Sequence, residues 1–98
     1  MELNRIRDLA LEAFSNLESE LDVTIATEIV DSTNILEMLD SMDVVSLIME
    51  TESLVEAEVN YYVPLASEVS FDANGSPLLS FTSWLNYIYE EVMLRDAH

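Results

Sequence analysis

Residues 39–52 read Leu-Asp-Ser-Met-Asp-Val-Val-Ser-Leu-Ile-Met-Glu-Thr-Glu, and this stretch decides the predicted fold. Apolar side chains recur here at three- and four-residue intervals, which predicts a helix over residues 41–57 with one buried face. That face consists of Val44, Leu47, Ile48, Thr51 and Val55. Asp40 is the predicted N-cap, because an aspartate at this position accepts hydrogen bonds from first-turn amides.

Two further stretches have helical periodicity. Residues 2–21 place apolar side chains every three or four positions with acids between them, and a second such pattern runs from Ser80 to about Leu94. Each pattern predicts an amphipathic helix. Trp84 lies on the apolar stripe of the last one, which favours packing in the core, with contact with cargo or a partner as the alternative.

The connections between these helices are long. Residues 22–40 are rich in Thr, Ser and Asn, which predicts a loop, with one short helical turn at Ile35–Leu39. Residues 60–79 stay ambiguous, with an extended start, a turn at Asp72–Gly75, and a short helix at Leu65–Val69 as an alternative. The predicted fold class is therefore all-α, a small three- to four-helix bundle with long connecting loops.

The composition is strongly acidic. The 98 residues include 3 basic and 20 acidic side chains, a net charge of −17. This charge argues against nucleic acid and anionic lipid as partners, and it favours a basic protein partner. Half of the residues are hydrophobic, which argues against disorder and predicts a single domain over residues 1–98.

The residue types needed for catalysis are scarce. There is no cysteine, and the one histidine is His98. No serine has a histidine partner in a recognisable motif, so we expect no enzyme activity of the chain's own. Asp72, Asn74 and Gly75 resemble the start of a calcium loop, but Pro77 and Ser83 then occupy the positions that need Gly and Glu. We therefore interpret this segment as a turn and predict no metal site.

Ser41 stands where the chain enters the predicted 41–57 helix. Free N–H groups and the positive end of the helix dipole would stabilise a phosphate ester on its hydroxyl. The alternative interpretation is an ordinary serine at a helix start, where serine is common.

The run Asp40-Ser41-Met42 resembles the hallmark of the acyl carrier protein family, in which Asp-Ser-Leu or Asp-Ser-Met opens the second helix. The resemblance continues along the chain in apolar positions, acidic positions and the final helix. The matching residues are Val45, Leu47, Ile48, Glu50, Glu52, Glu56 and Val59, followed by the segment 78–88 that ends in Tyr87-Ile88. It covers nearly the whole chain.

This resemblance implies a function and a set of site residues. Ser41 would receive 4′-phosphopantetheine from coenzyme A through a basic phosphopantetheinyl transferase, and the arm's thiol would carry an acyl or aminoacyl thioester. The thiol would thus arrive with the cofactor. The implied partner-binding residues are Asp40, Met42, Asp43, Glu50, Glu52 and Glu56. The implied acyl cleft is lined by Val45, Leu47, Ile48 and Thr51.

Several positions differ from the fatty-acid type of carrier. The approach Met38-Leu39-Asp40-Ser41 lacks a glycine, Ser46 replaces a usual Glu, Thr51 a usual Leu, and Val55 a usual Phe. These differences favour a stand-alone or D-alanyl-type carrier of a specialised pathway, in the broad area of fatty acid or polyketide biosynthesis. The implied partners are a loading enzyme and a downstream acyltransferase or synthase with basic docking surfaces.

A second class of function stays open. The chain could be an acidic protein-interaction module, either an unmodified carrier homologue or a decoy for a basic surface. Met42 and Met49 fit contact with cargo or a partner, with core filling as the alternative for Met49. The like-charged pair Glu52 and Glu56 has no evident use in folding, so we assign it to binding. We also expect a cytoplasmic monomer without membrane insertion.

Overall fold

The structure is a computed structural model that describes residues 2–21, 29–65 and 76–96. Every regular element in these three ranges is helical, so the all-α prediction is confirmed. The elements are α1 (Leu3–Leu21), α2 (Ile35–Met38), α3 (Ser41–Val59), a 3₁₀ turn (Pro77–Leu79) and α4 (Phe81–Asp96). None of the helices in the described ranges is long and apolar enough to cross a membrane.

The helix ends follow from capping residues. α3 runs two residues beyond the predicted end at 57, and it stops because Asn60 adopts a left-handed conformation with φ of 66°. The backbone N–H of Asn60 donates to the Glu56 carbonyl at 2.8 Å. At the start of α4, Ser80 and Ser83 cap each other, because each backbone N–H donates to the other's Oγ, at 3.1 and 3.0 Å.

The core lies where α1 packs against both α3 and α4. Phe14 of α1 packs edge to face against Phe81 of α4, with ring centroids 6.2 Å apart. Trp84, three residues after Phe81 on α4, is fully buried. The expectation that Trp84 packs in the core is confirmed. Large buried aromatic side chains dominate the apolar stabilisation of so small a bundle.

The long connections are described only in part. The short turn predicted at Ile35–Leu39 is confirmed as α2, which Asn34 caps by accepting a hydrogen bond from the Glu37 N–H at 3.2 Å. Residues 61–65 are non-helical. The alternative helix at Leu65–Val69, apart from Leu65 itself, and the turn at Asp72–Gly75 lie outside the described residues.

Candidate functional site

Ser41 is the first residue of α3, directly after its N-cap. Asp40 is extended, its Oδ1 accepts a hydrogen bond from the Asp43 N–H at 2.9 Å, and its carbonyl accepts one from the Val44 N–H at 3.0 Å. The first-turn amides of Ser41 and Met42 have no acceptor within the helix. Residue 41 therefore lies at the positive end of the α3 dipole, where a phosphate ester is stabilised.

Two carboxylates stand close together at this helix start. Partial desolvation, followed by the negative charge of Asp40 and a hydrogen bond with it, raises the pKa of Asp43 above its ordinary value of 3.8. The negative charge of Asp40 thus contributes repulsion between the two acids, second to desolvation. A positively charged partner group placed here would relieve that repulsion.

Three large apolar side chains form an exposed row on α3, which we call the α3 stripe. Met42, Val45 and Met49 are 79%, 43% and 64% exposed, and their spacing places them on one helix face. Met42 is thus accessible, and its predicted role in partner binding stays a prediction. The core-filling alternative for Met49 is wrong, since that side chain lies mostly in solvent.

The residues predicted to line an acyl cleft divide between two faces of α3. Leu47, Ile48 and Thr51 are fully buried on the inner face, and the Thr51 hydroxyl donates to the Leu47 carbonyl at 2.7 Å. Val45 lies on the α3 stripe instead, so it does not share a cleft with the other three. Position 45 was assigned from a match to the family's apolar pattern, which does not distinguish inner from outer positions.

The three glutamates of the predicted partner face lie in different environments. Glu56 is exposed and Glu50 is half-buried. The Glu52 carboxylate accepts a hydrogen bond from the Leu65 N–H at 2.6 Å, so the interpretation that folding has no use for Glu52 is wrong. Its negative charge is also the largest cause that raises the pKa of the Tyr62 hydroxyl. Sequence reasoning missed this role because the two partners of the bond are 13 residues apart.

A cavity of about 300 Å³ lies between α1 and α3. Its described lining consists of Leu17 from α1 and Ser46, Met49 and Glu50 from α3. Sequence reasoning predicted Glu50 for a partner face and gave Ser46 no site role. Periodicity places these residues on one side of α3, but it gives no information about a gap between two helices.

The arginines of the chain are all engaged in ion pairs away from the start of α3. Arg5 makes a two-point contact with Glu58, through Nε at 2.9 Å and Nη2 at 2.8 Å. The other pairs are Arg7 with Asp31 at 3.0 Å and Arg95 with Glu91 at 2.7 Å. Within the described ranges, the acids Asp40, Asp43, Glu50 and Glu56 therefore have no basic partner.

The backbone of Leu65 links α3 to α4 through two hydrogen bonds. Its N–H donates to Glu52, and its carbonyl accepts the Tyr87 hydroxyl at 3.0 Å. Tyr87 in turn stacks on Trp84, with ring centroids 5.8 Å apart and planes 23° apart. The buried Trp84 Nε1 has no hydrogen-bond acceptor among the residues that the structure describes.

Neither a family model, nor a curated protein, nor a solved structure matches this chain. In the described parts of the chain, no three His, Cys, Asp or Glu side chains converge as metal ligands do. The Asp72–Gly75 segment lies outside those parts.

Proposed function

We propose that this protein is an acyl or aminoacyl carrier of the acyl carrier protein family, with 4′-phosphopantetheine attached to Ser41. The observation that carries the proposal is the position of Ser41 as the first residue of a 19-residue helix that Asp40 caps. The α3 stripe and an acidic surface begin at the same point. We further propose that the carrier works as a cytoplasmic monomer in a specialised biosynthetic pathway.

The attachment reaction sets the demands on this helix start. The Ser41 hydroxyl oxygen would attack the β-phosphorus of coenzyme A, the bond to adenosine 3′,5′-bisphosphate would break, and the serine proton would pass to a base of the transferase. The phosphodiester that forms is an anion, which the first-turn amides of α3 favour. Asp40 and Asp43 oppose it, which is why a basic transferase surface fits this end of the helix. The bound arm supplies the thiol that forms the thioester.

The surface of α3 fits docking to basic enzymes. The α3 stripe offers adaptable methionine contacts at Met42 and Met49. Within the described ranges, the acids Asp40, Asp43, Glu50 and Glu56 beside it have no basic partner. The arginines are held in ion pairs elsewhere, so they do not neutralise this surface. The expected partners are the transferase, a loading enzyme and a downstream acyltransferase or synthase.

The test is modification of the purified protein by several phosphopantetheinyl transferases with coenzyme A, read by intact-mass spectrometry. We expect the mass to rise by one phosphopantetheine, and Ser41→Ala to abolish the addition. Ser46→Ala is the matched control, because Ser46 lies on the same helix and should leave the addition unchanged. If no transferase modifies the wild type, or if Ser41→Ala is still modified, the proposal is wrong.

An acidic interaction module is the second candidate function. The exposed α3 stripe favours it, because an apolar row flanked by acids that have no basic partner in the described ranges can bind a basic protein without any cofactor. A decoy of this kind would bind its target equally well after Ser41→Ala. A carrier would lose its arm-dependent activity in the same variant.

A further inference from the structure

The indole of Trp84 presents a buried hydrogen-bond donor. The side chain is fully buried, and no acceptor among the described residues reaches Nε1. An indole nitrogen can only donate, and buried indoles usually find an acceptor, because an unpaired donor carries a full desolvation cost. An occupant of this region that supplies an oxygen would therefore be favoured.

Trp84 lies beside the junction between α3 and α4. It stacks on Tyr87, which bonds the Leu65 carbonyl, while the Leu65 N–H reaches Glu52 on α3. Over the described residues, α3 and α4 make little direct backbone contact with each other. The contact between the two helices thus depends on side chains and on the Leu65 backbone.

A second buried polar group lies on the α3 side of the core. Thr51 is fully buried and donates its hydrogen to the Leu47 carbonyl, so its oxygen can still accept. A plain hydrocarbon chain would offer no acceptor to the Trp84 donor. A chain with an oxygen beyond its thioester would match the Trp84 donor.

We propose that the Trp84 indole N–H donates a hydrogen bond to an oxygen of the arm-bound cargo. The cargo is accordingly an acyl group with a further carbonyl, such as a 3-oxoacyl or amide-bearing group, rather than a saturated chain. This inference depends on the proposed function, because the cargo reaches the core on the Ser41 arm. Trp84 is a specificity-determining residue in this account.

The single tryptophan makes the first test direct, because the protein has one indole N–H signal in a ¹⁵N–¹H spectrum. The arm is installed on Ser41 in three forms, as the free thiol, a saturated four-carbon acyl group and its 3-oxo counterpart. We expect the indole proton to move downfield only with the 3-oxo group. An equal shift with the saturated group, or no shift with the 3-oxo group, would overturn the inference.

The second test uses Trp84→Phe, which removes the donor and keeps an aromatic ring. The readout is the rate at which a small added thiol exchanges with each thioester, as a ratio of variant to wild type. For the 3-oxo group we expect this rate to rise about 5- to 150-fold, the range that corresponds to about 1–3 kcal/mol for a buried donor. For the saturated group the ratio should stay near unity.

Tyr61→Phe is the matched control for general loosening of the bundle. It removes a hydroxyl that bonds the Val92 carbonyl of α4 at 3.4 Å and leaves the indole intact. We expect it to change neither ratio, and a rise as large as that of Trp84→Phe would overturn the inference. Absence of arm attachment in the mass spectrum would contradict the proposed function itself. Attachment without the indole shift would contradict only the role of Trp84.

Discussion

Replacing the N-cap Asp40 tests how α3 presents Ser41. Asp40→Ala removes the Oδ1 acceptor that lies 2.9 Å from the Asp43 N–H. Loss of such a cap costs about 1 kcal/mol, within a range of roughly 0.5–2 kcal/mol. In a domain of this size, that cost lowers the thermal midpoint by about 4–8 °C. Because the cap borders Ser41, we also expect the first turn of α3 to fray and transferase modification to slow.

Asp40→Asn separates the hydrogen bond from the charge. Asparagine keeps an acceptor oxygen and caps about as well as aspartate, so the free energy of unfolding should stay within about 0.5 kcal/mol of the wild-type value. The pKa of Asp43 should fall towards its ordinary value of 3.8, because the charge of Asp40 helps to raise it. The assays are thermal melts by circular dichroism and NMR titration of the Asp43 carboxyl.

Two results would refute this reasoning. If Asp40→Ala melts like the wild type, the observed hydrogen bond does not hold the helix start. If Asp40→Asn melts as low as Asp40→Ala, charge rather than the acceptor stabilises α3. Slower Ser41 modification of Asp40→Asn with an unchanged melt would locate the effect in transferase docking.

Three further predictions concern stability. Leu47→Ala should lower the free energy of unfolding by about 2–5 kcal/mol in denaturant titrations, because Leu47 is fully buried. Met49→Ala, at an exposed position, should change it by no more than about 0.5 kcal/mol. Equal costs would contradict the assignment of inner and outer faces to α3. Glu58→Gln should lower the thermal midpoint at neutral pH, because it removes the ion pair with Arg5. Arg5 holds the pKa of Glu58 below 4.5, so the difference between variant and wild type should vanish as the pH falls through that lowered pKa. A difference that persists in acid would rule out the ion pair as its cause. With a net charge of −17, the wild-type midpoint should rise between roughly 0.01 and 1 M salt, and a flat response would argue against self-repulsion.

The helices were predictable because their signals are local. The Asp40 cap, the buried face of α3 and the short turn at Ile35 all depend on residues within one or two turns of each other. The end of α3 was missed by two residues, although Asn60 carries a known signal, since asparagine tolerates the left-handed conformation that stops a helix.

The site was predictable only where it depends on position along a single helix. The placement of Ser41 at the start of α3 follows from the periodicity and the cap. The Glu52–Leu65 bond and the cavity lined by Leu17 and Glu50 depend on how separate segments pack, which no periodicity specifies. The lack of an acceptor for the Trp84 N–H among the described residues also depends on packing, because the sequence pattern placed the indole on an apolar face but did not specify which groups surround it.

The contact between α1 and α3 carries the Arg5–Glu58 ion pair near one end and a cavity near the other. Glu58 lies 17 residues beyond Ser41, so at 1.5 Å per residue the ion pair is roughly 25 Å from the first residue of α3. Towards Ser41, the same two helices are separated by the cavity beside Leu17 and Ser46. The two features therefore lie at opposite ends of one helix–helix contact, and the buried side chains of α1 and α3 between them hold the helices together.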